Sequence, residues 1–293
     1  MRTLITFVKM QMKHYAELHC LSCFSFLRGV SQPAKLVKYA AKLGYTAIAI
    51  TDECSLAGAV KAHIAAKSLD IKLIIGSEFK LDNGMKLIVL APNKLAYSEL
   101  SSLISLARRR CPKGEYRIYL HDIIFYLKRC LIIWLPSQNN NLEYQYGHHL
   151  KKLFRNRIWL GITRLLNNNE AKKNSANQEL SHRLSIPMVA CGNVQMCHAK
   201  NKPLHDVFSA IRHNVSVEEL GTRRLSNAQN HLRNIDILTS LYSEELISET
   251  LHIASLCKFS LDELRYEAPK ETISGTCDAN IYLRNLVNEG SIQ

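Results

Sequence analysis

Polar residues in this sequence follow short apolar segments, at the points where predicted strands would end. His19, Asp52 and Glu78 each stand at or just beyond the end of such a segment. Asn193 and Gln195 follow a later apolar segment in the same way. Because parallel strands bring their carboxyl ends to one edge of a sheet, we expect these side chains to share one site.

Histidine and carboxylate side chains that converge at strand ends can hold a metal ion and activate water for hydrolysis. His19, Asp52 and Glu78 could hold one zinc or manganese ion with an open coordination position. Asn193 and Gln195 are neutral amides and poor ligands for either metal. The alternative is structural: Asp52 would cap the turn that follows it, and Glu78 would pair with a lysine. We favour this structural interpretation.

The elements that would position these residues alternate between strand and helix. Residues 33–44 predict a helix with proline at its start, glycine at its end and apolar residues at a 3.6-residue period. A second helix would run from Ser55, as its N-cap, to about residue 69. This alternation predicts a barrel or a doubly wound sheet with helices outside. The predicted strands are one that ends near His19, residues 46–50, 72–75, 85–91, 130–135 and 158–162, and a last one within the segment 187–195, before Asn193.

After residue 195 the pattern becomes helical. Residues 204–212 predict a helix and residues 243–257 an amphipathic helix, and the basic stretch 222–234 between them is expected to be a loop. We therefore predict an α/β domain over residues 12–215 and a helical connector over 216–293. Residues 1–11 are interpreted as a possible upstream extension of the reading frame, because patterned sequence starts after them.

The charge of the chain indicates a polyanionic partner. The 293 residues carry a formal net charge of +13 at neutral pH, with 47% hydrophobic and 22% charged residues. Arg108, Arg109 and Arg110 form a basic cluster at the end of a predicted helix. They could complement the helix dipole at a solvated helix end, or they could contact nucleic-acid phosphates.

Cysteine usage and hydropathy limit the possible compartments. Nine scattered cysteines, an odd number in a long apolar chain, predict a reducing cytoplasm rather than a disulfide framework. Cys20-x-x-Cys23 is half of a zinc pattern and has no second half. No apolar run approaches the roughly 20 residues that cross a bilayer, so we expect no membrane partner. No small-molecule substrate is indicated.

Five segments together resemble one known family. They are similar to the N-terminal part of bacterial error-prone DNA polymerases, relatives of the replicative DNA polymerase III alpha subunit that begin with a PHP (polymerase and histidinol phosphatase) domain. The similarity runs in order from Met12 to Gln293. The segments are ELHCLSCFSFLRG (17–29), AITDECSLAG (49–58), IIGSEF (74–79), LARRRCPKGEY (106–116) and CKFSLDELRYEAP (257–269).

The resemblance implies a distorted (β/α) barrel of the PHP type, followed by a mostly helical appendage. It also implies a cytoplasmic location and a role in damage-induced mutagenesis and translesion synthesis. DNA and the remaining polymerase core would be the partners. In the family the palm and the other polymerase modules follow the PHP part, so we expect this chain to be truncated before the palm.

Two motifs depart from the metal-binding PHP pattern. The family's His-x-His motif is represented by His19 and Leu21, so its second histidine is missing. The Thr-Asp-His-Gly motif keeps Asp52 but has Glu53 in place of the histidine. Glu78 matches the family's conserved glutamate. The resemblance therefore leaves His19, Asp52 and Glu78 as the residual metal-ligand candidates.

Later departures reduce the metal site further. Lys86 stands where the family has a histidine, and a lysine in the pocket would repel cations. The late Asp-x-His motif has become Asn193-x-Gln195, which removes a charge and a ligand. We therefore expect the barrel to persist without a catalytic residue, and zinc or manganese to bind only if the residual site is functional.

Three functional hypotheses follow. The first is the PHP-domain portion of an error-prone DNA polymerase with a structural, non-catalytic role. The second is a metal-dependent phosphoesterase or 3′–5′ exonuclease that would use His19, Asp52 and Glu78. The third is a stand-alone nucleic-acid-binding protein, which would show salt-dependent DNA binding.

Overall fold

Seven strands of the described residues form one sheet, in which each strand pairs with the next along the chain. The computed structural model describes residues 14–137, 140–264 and 279–291. Strands β3–β4 and β4–β5 pair antiparallel, and the other four neighbouring pairs are parallel. The strands are β1 (Ala16–Cys20), β2 (Ala47–Ile50), β3 (Lys72–Lys80), β4 (Lys86–Leu90), β5 (Leu131–Leu135), β6 (Ile158–Thr163) and β7 (Met188–Cys191).

Helices connect most of the strands. Among the described residues they are α1 (Pro33–Lys42), α2 (Ala59–Ala66), α3 (Lys94–Arg109), α4 (Leu120–Tyr126), α5 (Asn140–Phe154), α6 (Glu170–Leu184), α7 (Lys202–His213), α8 (Ile235–Leu241), α9 (Glu244–Leu256) and α10 (Ala279–Gly290). Local signals fix several starts: Pro33 opens α1, and the Asn93 side chain accepts a hydrogen bond from the Ala96 N–H at 2.9 Å to cap α3. No helix in the described ranges is both long and apolar enough to cross a membrane.

Both faces of the sheet are buried, and successive residues of a strand serve different faces. In β2, Ile48 and Ile50 pack in the outer cluster with α1 and α2. Ala47 and Ala49 point to the opposite face and share the inner cluster with alternate residues of the other strands. Ile253 of α9 joins this inner cluster. Such two-sided burial is what a sheet curved into a barrel requires.

The barrel closes at the carboxyl ends of its first and last strands. Cys20 and Val194 form a parallel bridge, in which the Leu21 N–H donates to the Val194 carbonyl at 2.8 Å. The buried carboxylate of Glu17 adds a second link, because it accepts from the Gly192 N–H at 2.9 Å. A side chain at Gly192 would meet Glu17, since an added Cβ would lie 2.1 Å from its Oε2.

At the amino end of β1, a side chain of helix α9 takes the hydrogen bond that a neighbouring strand would otherwise accept. It packs against β7 and β1, and the Thr250 hydroxyl accepts a hydrogen bond from the Ala16 N–H at 3.2 Å. Both groups are buried. A buried backbone N–H without a partner is costly, so this hydroxyl satisfies a donor that the incomplete barrel leaves open.

The predicted distorted α/β barrel is confirmed, with local corrections. Each predicted strand is present within a few residues, but β3 continues to Lys80 and so carries Glu78 inside the strand. The predicted N-cap at Ser55 is wrong, because α2 begins at Ala59 after Gly58. Ser55 instead accepts a hydrogen bond from the Ala57 N–H at 3.2 Å.

The contacts divide the chain into two compact units, residues 1–261 and 262–293. The expected boundary near residue 216 does not coincide with this division, because α9 packs on the barrel strands. As a boundary within a longer protein it stays a prediction. The possible extension 1–11 lies outside the described residues.

Replacing Thr250 by valine tests the role of α9 in closing the barrel. The change keeps the shape but leaves the buried Ala16 N–H without an acceptor, so the free energy of unfolding should fall by about 1–2 kcal/mol. The measurement is urea denaturation at neutral pH. Ser255→Ala is the control, since this exposed hydroxyl of α9 bonds only within its own helix, to the His252 carbonyl. Equal losses in the two variants would contradict the closing role.

Candidate functional site

The predicted site residues lie at the carboxyl ends of three neighbouring parallel strands. His19 is in β1, Asp52 follows β2 and Glu78 is in β3, and each residue is at most 2% exposed. Past the end of β2 the chain stays beside β3 through a parallel bridge between Glu53 and Glu78. The sheet thus delivers these polar groups to one edge of the barrel, as the sequence predicts.

Glu78 has a partner on each of its carboxylate oxygens. His19 Nε2 lies 2.6 Å from Oε2, and Arg28 Nη1 donates to Oε1 at 2.6 Å. Burial raises the pKa of Glu78, but the hydrogen bonds from His19 and Arg28 and the guanidinium charge outweigh it and hold the pKa well below its usual range. Glu78 is therefore a buried, ionised carboxylate.

Arg28 joins two carboxylates through a single nitrogen. Its Nη1 lies 2.6 Å from Oε2 of Glu53 as well as 2.6 Å from Oε1 of Glu78. Burial lowers the pKa of Arg28, but the two carboxylates more than compensate, so the net shift is upwards. The guanidinium thus places a permanent positive charge between two acidic groups at the strand ends.

Asp52 is held by the loop that follows β1. Its Oδ1 accepts from the Ser22 N–H and the Ser25 hydroxyl, both at 2.7 Å, and Oδ2 accepts from the Ser22 hydroxyl at 2.7 Å. Burial raises the pKa of Asp52, and the serine hydrogen bonds offset this in part. Gly58 packs against the carboxylate, since an added Cβ would lie 2.6 Å from Oδ2. Asp52 therefore fixes the β1 loop rather than capping the turn after it.

The three arginines of the predicted nucleic-acid cluster have different surroundings. Arg108 turns inwards and donates to the carbonyls of Glu53 and Cys54, each at 3.1 Å. Arg110 pairs with both oxygens of Asp122, at 2.5 and 2.9 Å. Arg109 is exposed. The structure therefore does not bring the three guanidinium groups together on one surface, and their contact with phosphates stays a prediction.

The late amides stand beside a histidine. The Gln195 carbonyl oxygen lies 2.7 Å from His205 Nε2, and its amide nitrogen lies 3.4 Å from the Asn193 carbonyl oxygen. Burial lowers the pKa of His205; the Asp206 carboxylate opposes this shift, and the charges of Lys202 and Arg28 add to it. Positions 193 and 195 therefore contribute neutral amides, and no carboxylate, to the site.

Lys86 does not lie in the buried site. It is exposed at the start of β4, in register with Lys80 and Leu135. Its charge acts on Lys173, whose pKa burial lowers and Lys86 lowers further. The expectation that a lysine in the pocket repels cations is therefore wrong, and Arg28 supplies the positive charge instead.

The arrangement does not fit a resident metal ion. Both oxygens of Glu78 are bonded to cationic or N–H groups, and both oxygens of Asp52 are bonded to serine groups. No group of three or more His, Cys, Asp or Glu side chains within the described ranges could hold a metal. His19 Nδ1 is buried without a partner there, which gives one donor atom where a metal needs several.

The residues that bond to the carboxylates of Glu78 and Asp52 were not predicted from the sequence. Arg28, Ser22 and Ser25 lie in the segment 17–29, whose resemblance to the family does not reveal what these side chains contact. A charge argument could have found Arg28: a buried glutamate beside a second glutamate, Glu53, requires a cation nearby. No comparable pattern identifies the serines, because their contacts depend on the path of the loop.

Replacing Glu78 by glutamine tests the buried ion pair. The variant keeps the shape but leaves Arg28 with less negative charge, so the free energy of unfolding at pH 7 should fall by about 3 kcal/mol. Because the folded pKa of Glu78 is depressed, its contribution is present above the unfolded value of about 4.3 and is lost as pH falls below it. The gap between the wild type and the variant should therefore shrink towards about pH 3.5.

Urea denaturation at several pH values measures this gap. Glu115→Gln is the matched control, because this glutamate is exposed and the same chemical change should leave the free energy within about 0.5 kcal/mol of wild type. A gap for Glu78→Gln that stays constant or widens in acid would show that Glu78 is not stabilised as an anion.

Comparisons with known proteins give one family match and several similar relatives. Residues 17–152 match the PHP domain family. The chain is 48% identical over 276 residues to an error-prone DNA polymerase of Saccharophagus degradans, 49% over 276 residues to one of Teredinibacter turnerae, and 46% over 277 residues to one of Methylococcus capsulatus. Each match covers 94% of this chain but only 26–27% of the relative.

Two solved structures are similar to part of this chain. One is described as a metal-dependent phosphoesterase from Bifidobacterium adolescentis, with 15% identity, and the other is an amidohydrolase from Chromobacterium violaceum, with 12% identity. Each has a TM-score of 0.45 and covers 62% of this chain, and the matches cover 87% and 88% of those chains. At this level the likeness supports no inference about function. The chain thus matches the PHP domain family over residues 17–152 and spans about a quarter of the length of the error-prone DNA polymerases to which it is similar.

Proposed function

We propose that this chain is the PHP-domain portion of an error-prone DNA polymerase and that it serves there as a non-catalytic structural domain. The family assignment rests on 46–49% identity across nearly the whole chain. The structural role rests on one observation: Arg28 donates to both Glu78 and Glu53 at the strand ends where a metal centre would lie.

The arginine can do the electrostatic work of a metal ion without its chemistry. Carboxylates gathered at one barrel edge repel one another and need a cation, which a guanidinium supplies through directed hydrogen bonds. A guanidinium offers no open coordination position and cannot lower the pKa of a bound water as a metal does. The site is thereby suited to holding β1, β2 and β3 together and unsuited to hydrolysis.

The proposal also covers the activity of the whole polymerase, DNA synthesis, which we assign to segments other than this chain. Two-metal nucleotidyl transfer needs acidic ligands on a palm, which we place outside this chain. Translesion synthesis, DNA repair, a cytoplasmic location and contact with DNA and the polymerase core are supported only by the relatives. We retain residues 12–215 as the PHP part and 216–293 as the connector towards that core.

The phosphoesterase or exonuclease alternative would require the site to open. His19 and Glu78 would have to release each other, and Glu78 would have to release Arg28, before either could bind a metal. Breaking a buried ion pair costs about 3–5 kcal/mol, which would be subtracted from metal affinity. The basic charge favours a nucleic-acid contact, which is compatible with the structural role.

Elemental analysis of the purified protein tests the metal-free proposal. We expect zinc and manganese far below one equivalent, and no rise in melting temperature when either metal is added, because a metal that binds only the folded state would stabilise it. His19→Ala is the control, and it should match the wild type in metal content. One equivalent of metal that disappears in His19→Ala would overturn the proposal and restore the hydrolase alternative.

A chimera tests the structural role in a polymerase. The matching region of the Saccharophagus degradans relative would be replaced by this chain, and primer extension and melting temperature would be measured. We expect the chimera to extend primers. The relative from which the matching region is deleted should not extend them. Within the chimera, His19→Ala should preserve extension at permissive temperature, whereas Arg28→Met should lower the melting temperature by several degrees, because Glu53 and Glu78 lose their cation.

The chimera separates structure from catalysis. Loss of extension in His19→Ala with an unchanged melting temperature would assign a chemical role to the strand-end site and contradict the proposal. Lys38→Met is the matched control for Arg28→Met, because Lys38 is an exposed cation on α1.

A further inference from the structure

A cationic groove lies beside the carboxyl end of α5. It has a volume of about 710 Å³ and receives side chains from α5, the turn Arg155–Arg157, β6 and α9. Its main contributors are His148, Lys151, Lys152, Arg155, Trp159 and His252. We call it the α5–α9 groove.

The α5–α9 groove is at the edge of the barrel opposite to the His19–Glu78 site. It lies where β6 begins, at Ile158 and Trp159, and where the chain enters β7 after Pro187. β6 and β7 are parallel, and Val194, just after β7, forms a parallel bridge with Cys20 of β1. The amino ends of these strands therefore face away from the edge that carries His19, and the groove shares no residue with that site.

The cations of the groove are available to a ligand. Lys152 and Arg155 are exposed, and neither forms an ion pair with a carboxylate in the part of the chain that the structure describes. Glu249 is the acidic residue of the lining, and it already accepts a hydrogen bond from Trp159 Nε1 at 2.5 Å. The groove therefore holds three cations, Lys151, Lys152 and Arg155, against the one carboxylate of Glu249, and its net charge is positive.

The dipole of α5 accounts for only part of this charge. Lys151 and Lys152 lie in the last turn of the helix, where cations are stabilised by the carbonyl end. Lys151 also donates to the Leu184 carbonyl at the end of α6. Arg155 directly follows α5 and is a third cation at this carbonyl end, which is more positive charge than the roughly half negative charge of a helix dipole can offset.

We propose that the α5–α9 groove binds the phosphate backbone of DNA. Arginine can hold a phosphate through two parallel hydrogen bonds and lysine attracts it as a point charge, so Arg155 and Lys152 suit adjacent phosphates. The net charge of +13 favours a polyanion, and the relatives of the chain are DNA polymerases. This contact goes beyond the structural role, because it uses none of the residues of the strand-end site.

Fluorescence anisotropy with a labelled single-stranded oligonucleotide of about 20 nucleotides tests the proposal. The wild-type protein should bind, and its affinity should fall linearly on a log–log plot between about 50 and 200 mM salt. The double variant Lys152→Glu with Arg155→Glu should bind at least about tenfold more weakly and show a shallower salt slope, because two phosphate contacts become repulsive.

The control makes the same charge change elsewhere. Lys35→Glu with Lys38→Glu alters two exposed lysines of α1, so it changes the net charge equally without touching the groove. We expect it to weaken binding by less than about threefold. The double variant Lys152→Gln with Arg155→Gln tests whether the loss of binding is due to misfolding. It should retain the wild-type melting temperature and still bind DNA more weakly than the wild type.

Three outcomes would overturn the proposal. The first is no binding by the wild type at low salt, and the second is an equal loss in the groove and α1 variants, which would mean diffuse attraction by net charge. The third is binding to vesicles of anionic phospholipid but not to the oligonucleotide, which would assign the groove to a membrane surface.

Discussion

The strand-end edge of this barrel depends on the positive charge of Arg28. Glu78 is buried and ionised, and Glu53 lies on the other side of the same guanidinium nitrogen. Two carboxylates so close together destabilise a fold unless a cation balances them. Arg28 meets this need with a charge that cannot be lost at any ordinary pH. The carboxyl ends of β1, β2 and β3 can therefore stay packed without a ligand from solution.

The loop that carries Arg28 is fixed as firmly as the strands. The Ser22 and Ser25 hydroxyls both donate to Asp52, so the residue that the family pattern offers as a metal ligand instead anchors the loop. Gly29 is required there, because an added Cβ would lie 2.0 Å from the Ser22 carbonyl oxygen. Glu53 stands where the family motif has a histidine. Under the proposed structural role, the charge of Arg28 takes the place that a metal ion would have beside Glu53 and Glu78.

Much of the fold could be predicted from the sequence, because it depends on local periodicity. The apolar strands and the proline-led helix α1 follow from patterns within about ten residues, and parallel pairing then places His19, Asp52 and Glu78 at one edge. The partners of these residues could not be predicted. The Arg28–Glu78 contact joins residues 50 positions apart, and it exists only because the loop takes one particular path.

Adjacent charges that look equivalent in a sequence can be unequal in the fold. At the end of α3 the helix turns Arg108 towards backbone carbonyls and Arg110 towards Asp122, so a phosphate would have to compete with partners already bound. Lys152 and Arg155 have no described carboxylate partner, and a phosphate there would displace only water. The net charge of the chain cannot distinguish these two situations. The barrel separates them: Arg28 is paired with carboxylates at the edge where β1 to β3 end, whereas Lys152 and Arg155 have no described carboxylate partner at the edge where β6 and β7 begin.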